Sequence, residues 1–276
     1  MTSGKPRAFV RAAVIAAICP VLAGGAPAIS GGLDVRAWHS SEPRGSDAEL
    51  AGLFLNARQV WSDAAGDRWI GVAQVDADHN FDDVRPYQVY LQYKGPLGKW
   101  NVRVGHYLLP FGLLAQQDTE RLLLTGIEDT NLGMRKDIGV QFLGRAGEWD
   151  YAASVSSGAS GIRFIDSRAD PVASVRVAVV REDWQVGVSG LAGRPWARFA
   201  PLIGEGAAAA RFTRERRVAI DFLKTWDRLT LRAEAAGGTD DGDAVWGGAV
   251  FADYVLLPRL ELNSRYVHWR RTARGI

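Results

Sequence analysis

The sequence predicts an all-β fold, a transmembrane antiparallel up-and-down β-barrel. Three observations predict it: apolar and polar residues alternate along many segments, short breaks alternate with longer ones, and most tryptophans lie beside a break. Outer-membrane barrels are built in this way, with tight turns at one end, long loops at the other, and a girdle of aromatic residues at each membrane interface.

The N-terminus has the pattern of an export signal. Lys5, Arg7 and Arg11 precede an apolar run over residues 12–23, and Ala26-Pro27-Ala28 offers small residues for cleavage. The run is too short to cross a bilayer as a helix, which needs about 20 apolar residues. We therefore expect the chain to be exported.

Cleavage after Ala28 divides the chain into a signal peptide, residues 1–28, and a barrel domain, residues 29–276. The signal carries three basic residues and no acidic one, so its removal changes the formal net charge from +2 to −1. A nearly neutral chain without a basic block gives no support to nucleic-acid binding. Cys19, the only cysteine, lies in the signal, so we expect no disulfide and no thiolate metal site in the mature chain.

Period-2 alternation is clearest between residues 87 and 94. Val89 and Leu91 fall on one face, whereas Gln88 and Gln92 fall on the other, as in a strand with one apolar face. The same pattern predicts thirteen strands, over residues 33–39, 49–62, 67–78, 85–94, 99–108, 136–144, 148–157, 171–181, 184–193, 214–225, 228–237, 244–256 and 259–270.

The breaks between these strands alternate in length. The six short breaks are residues 63–66, 95–98, 145–147, 182–183, 226–227 and 257–258. The six longer breaks are residues 40–48, 79–84, 109–135, 158–170, 194–213 and 238–243. We expect the short breaks to be periplasmic turns and the longer breaks to be external loops.

Alternation alone also fits a soluble β-sandwich, in which the apolar face points into a core. The tryptophans favour the barrel, because indole rings concentrate at membrane interfaces. Those near short breaks are Trp61, Trp69, Trp100, Trp149, Trp184 and Trp226, and those near the opposite strand ends or in a long loop are Trp38, Trp196, Trp246 and Trp269.

The odd number of strands departs from the even number usual in bacterial single-chain barrels. Residues 272–276 also lack the terminal aromatic residue that such barrels commonly carry. We therefore expect the sequence to be truncated at its C-terminus, with one or more strands missing. The alternative is that the first strand is miscounted.

Three segments resemble a known family. The segment Val102-Arg-Val-Gly-His-Tyr-Leu-Leu-Pro-Phe-Gly-Leu113, followed by Asp137-Ile-Gly-Val-Gln141 and Trp149-Asp-Tyr-Ala-Ala-Ser154, resembles the phosphate-selective porin O/P group of outer-membrane channels. The resemblance covers about a fifth of the chain and implies a channel in which Pro-Phe-Gly opens a long loop. The residues that carry it are Gly105, Pro110, Phe111, Gly112, Asp137 and Gly139.

The third longer break, residues 109–135, is too long at 27 residues for an ordinary connection. It is rich in leucine, and folding inward against the barrel wall would bury those side chains. We expect it to narrow the pore, with Pro110 and Gly112 turning the chain. The predicted constriction residues are Pro110, Phe111, Gly112, Asp118, Glu120 and Arg121. An external lid or an oligomer contact is the alternative.

Charged residues on the polar faces are candidates for lining the pore, because rings of charge set the potential of a channel. The candidates are Arg58, Lys94, Arg103, Arg176, Arg217, Arg232, Glu234 and Arg265. Acidic residues on the same faces balance the basic ones, so phosphate selectivity does not follow. For each arginine the alternative is a structural ion pair with a neighbouring strand.

The sequence gives little support to catalysis or to a metal or cofactor site. The four histidines are scattered and lack metal-ligand spacing. His39 and Ser41 form a His-x-Ser pair like that of outer-membrane phospholipases, but the residues that follow differ. We assign no catalytic residue, no metal and no cofactor.

These patterns predict an outer-membrane porin of a Gram-negative bacterium that allows small hydrophilic solutes or ions to diffuse passively. Its expected partners are outer-membrane lipid and lipopolysaccharide, the solutes, and two further copies in a homotrimer, with no nucleic acid. Three alternatives remain open: a barrel enzyme such as a lipid hydrolase, a sheath around an electron-transfer protein, and a soluble periplasmic β-sandwich that binds a ligand.

Overall fold

The computed structural model describes residues 27–39, 46–64, 66–78, 83–113, 136–159, 170–197, 211–258 and 260–272. Its strands are β1 (Ala28–His39), β2 (Ser46–Asp63), β3 (Gly66–Asp78), β4 (Asp83–Lys94), β5 (Asn101–Leu108), β6 (Lys136–Ala146), β7 (Trp149–Ser156), β8 (Asp170–Val180), β9 (Trp184–Arg194), β10 (Trp196–Ala197), β11 (Arg211–Phe212), β12 (Glu215–Thr225), β13 (Leu229–Asp240), β14 (Asp243–Leu257) and β15 (Leu260–Thr272). No helix within these ranges is long and apolar enough to cross a membrane.

Thirteen of these strands form one antiparallel sheet in which each strand pairs with its neighbours in the chain. The two exceptions, β10 and β11, pair with each other, and β9 pairs directly with β12. The predictions of an all-β, up-and-down fold and of thirteen strands are confirmed. The sandwich alternative is wrong, because its two packed layers would need a second sheet of comparable size, and within the described ranges the other sheet has only two strands.

The first strand is a full member of the sheet. It begins at Ala28 rather than at residue 33, and it pairs with β2 from Ala28 opposite Arg58 to His39 opposite Ser46. The alternative of a miscounted first strand is therefore wrong.

The described residues form two compact units. The first unit contains the described residues up to Gly95 together with Arg103–Tyr107, and the second contains Pro96–Val102 together with the described residues from Leu108 onward. Strand β5 contributes residues to both units.

Strand β8 in the second unit exposes valines on one face and buries polar side chains on the other. Val175 and Val177 are 48% and 41% exposed, whereas Ser174 and Arg176 are buried. A water-soluble protein usually buries such valines, whereas a transmembrane barrel turns them toward lipid, so this inversion is the pattern expected of a membrane-facing wall. We call the side of the sheet that carries Val175 and Val177 the apolar face, and the opposite side the polar face. Exposed residues of the apolar face on neighbouring strands are Val155, Val188, Val218 and Ile220.

Tryptophans at the short-turn ends of strands are solvent-accessible. Trp100, Trp149 and Trp226 lie at or next to the first residue of a strand or the last, Trp69 lies three residues after the first residue of β3, and each is at least one-third exposed. Large rings displayed at strand ends fit an aromatic girdle better than a core, where they would be buried at mid-strand.

The sixth predicted longer break, residues 238–243, is wrong. Strand β13 continues to Asp240 and β14 begins at Asp243, so only Asp241 and Gly242 form the turn. Their φ angles are 50° and 97°, and positive φ at both central residues is the requirement of a type I′ hairpin turn. The Asp-Gly dipeptide is a standard sequence signal for that turn.

Candidate functional site

The segment Leu109–Leu113 turns sharply away from the end of β5 and is buried throughout. The Phe111 N–H donates to the Leu109 carbonyl at 2.8 Å, which closes a three-residue turn centred on Pro110. Gly112 follows with a φ of 69°, a left-handed conformation that a residue with a Cβ rarely adopts. Pro110 and Gly112 thus turn the chain as their residue types predict.

Two hydrogen bonds fasten this segment to the polar face. The Gly112 N–H donates to Ser189 Oγ of β9 at 2.9 Å. The Leu113 N–H donates to Glu234 Oε2 of β13 at 2.8 Å. The first residues of the long loop therefore lie against the polar face, and we call Leu109–Leu113 the latched segment.

There is also no room for a side chain at position 112, so only glycine fits there. A Cβ added there would lie 2.3 Å from Glu234 Oε1, so any side chain would displace the carboxylate that holds Leu113. Of the predicted constriction residues, Pro110, Phe111 and Gly112 belong to the latched segment. The others, Asp118, Glu120 and Arg121, lie outside the described residues.

The Asp-x-Gly part of the motif has a structural role. Asp137 is completely buried, and its carboxylate accepts hydrogen bonds from Ser157 Oγ at 2.9 Å and from the Gly158 N–H at 2.6 Å. It thereby fixes the chain as it leaves β7. A Cβ at Gly139 would lie 2.2 Å from the Val155 carbonyl on that neighbouring strand.

Two of the candidate pore-lining arginines are buried in ion pairs. Arg176 donates to both carboxylate oxygens of Asp221, at 3.0 and 2.6 Å. Arg217 donates to Asp240 on the next strand at 2.7 Å, and Glu215 lies 3.5 Å from the same guanidinium. Buried arginines need such partners, because an unpaired charge away from water costs several kcal/mol. Both arginines are therefore held in ion pairs, that of Arg217 with the next strand and that of Arg176 with a strand two positions away.

Strands β13 to β15 hold two more of the candidates. Arg232 forms an ion pair with Asp253 of the next strand. Arg265 lies over the ring of Phe251, with its guanidinium carbon 5.2 Å from the ring centre. Phe251 is opposite Arg232 on one side and opposite Arg265 on the other, so an aromatic ring separates the two cations.

The first unit holds the remaining three candidates, and their partners differ. Lys94 contacts Asp67 at 3.4 Å near a short turn. Arg103 donates to the amide oxygen of Gln92. Arg58 is exposed on the polar face.

Sequence reasoning missed two residues that act through non-local contacts, Ser189 and Asp240. Asp240 was visible only as a residue of a predicted loop. Ser189 carries no local signal, because its role depends on what the register places beside it.

No group of three or more His, Cys, Asp or Glu residues within the described ranges is arranged to hold a metal ion. His39 lies at the end of β1, and Ser41 falls outside those ranges, so the pair considered for a hydrolase is not described.

Comparison with known proteins gives relatives by structure only. No protein-family model and no curated protein matches the sequence. The structure is similar to an anion-selective porin from Comamonas acidovorans, with a TM-score of 0.58 and 10% identity over 90% of this chain and 80% of that one. It is also similar to OmpF of Salmonella typhi in complex with daunomycin, with a TM-score of 0.62 and 11% identity over 89% of this chain and 79% of that one.

The fold is porin-like. At 10 and 11% identity the similarity shows the fold alone. The coarser part of the sequence resemblance, to outer-membrane porins, agrees with this fold.

Proposed function

We propose that the chain is an outer-membrane porin through which small hydrophilic solutes diffuse passively. The observation that carries the proposal is the inverted sheet: valines such as Val175 are exposed on one face, while serine and arginine side chains lie on the other. In a porin-like barrel the polar face lines a water-filled lumen, and the apolar face meets lipid.

The latched segment supplies the second part of the mechanism. It is held on the polar face by Ser189 and Glu234, so the loop of residues 109–135 begins on the side where solutes would pass. A loop folded inward from there would narrow the lumen, and Asp118, Glu120 and Arg121 would add charge at the constriction. Selection would follow from size exclusion and local electrostatics.

The location and partners follow from the same proposal. The protein would lie in the outer membrane of a Gram-negative bacterium, surrounded by lipid and lipopolysaccharide, and assemble as a homotrimer. The finer resemblance, to phosphate-selective porins, would then concern the loop-opening motif and its glycines. We do not extend it to phosphate transport, because at least three arginines of the polar face are neutralised by carboxylates.

Single-channel recording in planar bilayers tests the proposal. The refolded protein should produce stable, unitary current steps in potassium chloride. Deleting residues 114–130, which keeps the latched segment, should raise the step size because the constriction is removed. A deletion of residues 160–168 in another long loop is the matched control and should leave the steps unchanged.

If the chain is instead an enzyme or a sheath around a partner, we expect no current steps, because a barrel filled by its own residues or by a partner passes no ions. A correctly folded protein that gives no steps would reject the porin proposal. If both deletion variants give current steps of the same size, the porin proposal stands, but the loop of residues 109–135 does not form the constriction.

A further inference from the structure

Two arginines lie in one row on the polar face of the first unit. Arg58 of β2 is opposite Val72 of β3, and Val72 is opposite Tyr90 of β4. On β5, Gly105 lies beside the Tyr90 backbone, and Arg103, two residues earlier, reaches across so that its guanidinium carbon lies 4.2 Å from the centre of the Tyr90 ring. An arginine therefore lies at each end of the Val72–Tyr90 pair. We call these four residues the cationic row.

Arg103 is held by groups that carry no charge. Its Nε and Nη2 atoms donate to Gln92 Oε1 at 3.1 and 2.9 Å. The amide and the Tyr90 ring fix the guanidinium in place without neutralising it, and Gln92 occupies only two of its five N–H groups. Arg103 thus keeps its positive charge and has donors left for another acceptor.

Arg58 is exposed, and within the described residues no carboxylate lies in ion-pair contact with it. Asp67 acts on it only through longer-range electrostatics. That carboxylate already accepts hydrogen bonds from Ser62 at 2.8 Å and from Lys94 at 3.4 Å.

The arginines of the second unit behave differently. Arg176 and Arg217 are bonded to Asp221 and Asp240, and the field of such a pair largely cancels beyond a few ångströms. An arginine with neutral partners acts as a full unit charge. Among the described residues of the first unit, Arg58 and Arg103 are polar-face cations with no carboxylate in ion-pair contact.

We propose that the cationic row is a binding subsite for small organic anions that carry carboxylate groups, and that it gives the channel a preference for anions. The inference rests on the proposed function, because a permeation path is what brings solutes to the polar face. Guanidinium groups present paired donors that match carboxylate oxygens. Tyr90, which is partly exposed, lies between them and offers apolar contact to the carbon skeleton of an organic anion.

Reversal potentials measured across a potassium chloride gradient test the inference. The wild-type channel should favour chloride over potassium, and R58Q and R103Q should each lower the permeability ratio about threefold, the factor for one unit charge acting at about 6 Å through water. R103K keeps the charge and should retain most of the preference. R181Q is the control, because it removes one positive charge from an exposed turn where Arg181 is paired with Glu148.

A second measurement uses succinate as the probe. Millimolar succinate should reduce the chloride current through wild-type and R181Q channels, and the reduction should weaken in R58Q, whose exposed side chain has no described ion-pair contact to disturb. If the wild type gives current steps but its permeability ratio is unchanged in R58Q and R103Q, the cationic row does not set the anion preference. The same conclusion follows if R181Q lowers the ratio equally. Either result would leave the porin proposal intact. An absence of steps in the wild type would overturn the porin itself.

Discussion

Arg176 and Asp221 are joined across an intervening strand. They belong to β8 and β12, and β9 lies between these strands with Gly187 at the crossing point, opposite both Ala178 and Asp221. The two side chains meet over Gly187 in a bidentate pair, with Arg176 Nη2 2.6 Å from Asp221 Oδ1. The absence of a side chain at Gly187 allows this contact.

Substituting Gly187 by alanine should break the pair. A Cβ there would lie 2.5 Å from Arg176 Nη2 and 2.6 Å from Asp221 Oδ2, so both charged groups would have to move. We expect G187A to lower the free energy of unfolding by about 1–3 kcal/mol, the usual cost of overpacking. Urea unfolding in lipid vesicles measures this loss.

Gly190 provides the matched control on the same strand. A Cβ at Gly190 would have its nearest neighbour at 3.7 Å, an ordinary contact, so G190A should change stability by less than half of the G187A effect. Equal losses in the two variants would show that the space over Gly187 is not what the pair needs.

The strands were predictable from the sequence because alternation is a local property. Residues such as Val175 and Arg176 take opposite faces in any strand, so periodicity found all thirteen strands of the main sheet. The remaining errors were at the ends: β1 begins five residues earlier than predicted, and the Asp241–Gly242 turn was taken for a longer loop despite its Asp-Gly signal.

The site was predictable only in part. Alternation identified Arg176 and Arg217 as charges of the polar face, but their partners depend on register across strands that are distant in sequence. Glu234 is the clearest case. The sequence indicated a charge of the pore wall, whereas the structure shows that its carboxylate accepts the N–H of Leu113, a contact 121 residues away in the chain.

Removing the Glu234 carboxylate should loosen the latched segment. E234A would leave the Leu113 N–H without its acceptor, and a hydrogen bond to a charged group contributes about 1.5–3 kcal/mol. We expect E234A to lower the midpoint of urea unfolding and to increase single-channel conductance. In E234Q the amide oxygen can still accept the bond, so its values should lie closer to the wild type. If E234A conducts and unfolds like the wild type, the bond to Leu113 does not hold the segment.

The short turn after β8 carries a pH-dependent contact. Lys224 hydrogen-bonds to Asp183, and this bond lowers the pKa of the Asp183 carboxyl below its ordinary value of 3.8. Because the pKa is lower in the folded state, the stabilisation is present above that value and is lost as the pH falls through the lowered pKa. D183N should therefore unfold at slightly lower urea than the wild type at pH 6, and the difference should shrink at pH 2. The effect should be small, since the pair is exposed. A difference that is the same at both pH values would contradict this account.

A charge on the apolar face should be costly if that face contacts lipid. Val175 lies near the middle of β8 and is 48% exposed, so V175R would place a guanidinium in hydrocarbon at a cost of about 2–4 kcal/mol near the bilayer midplane. In water the same substitution at an exposed position would change stability by less than about 0.5 kcal/mol. Urea unfolding in vesicles distinguishes the two environments, and V175A controls for the loss of the valine side chain. A V175R variant as stable as V175A would show that this face is solvated by water.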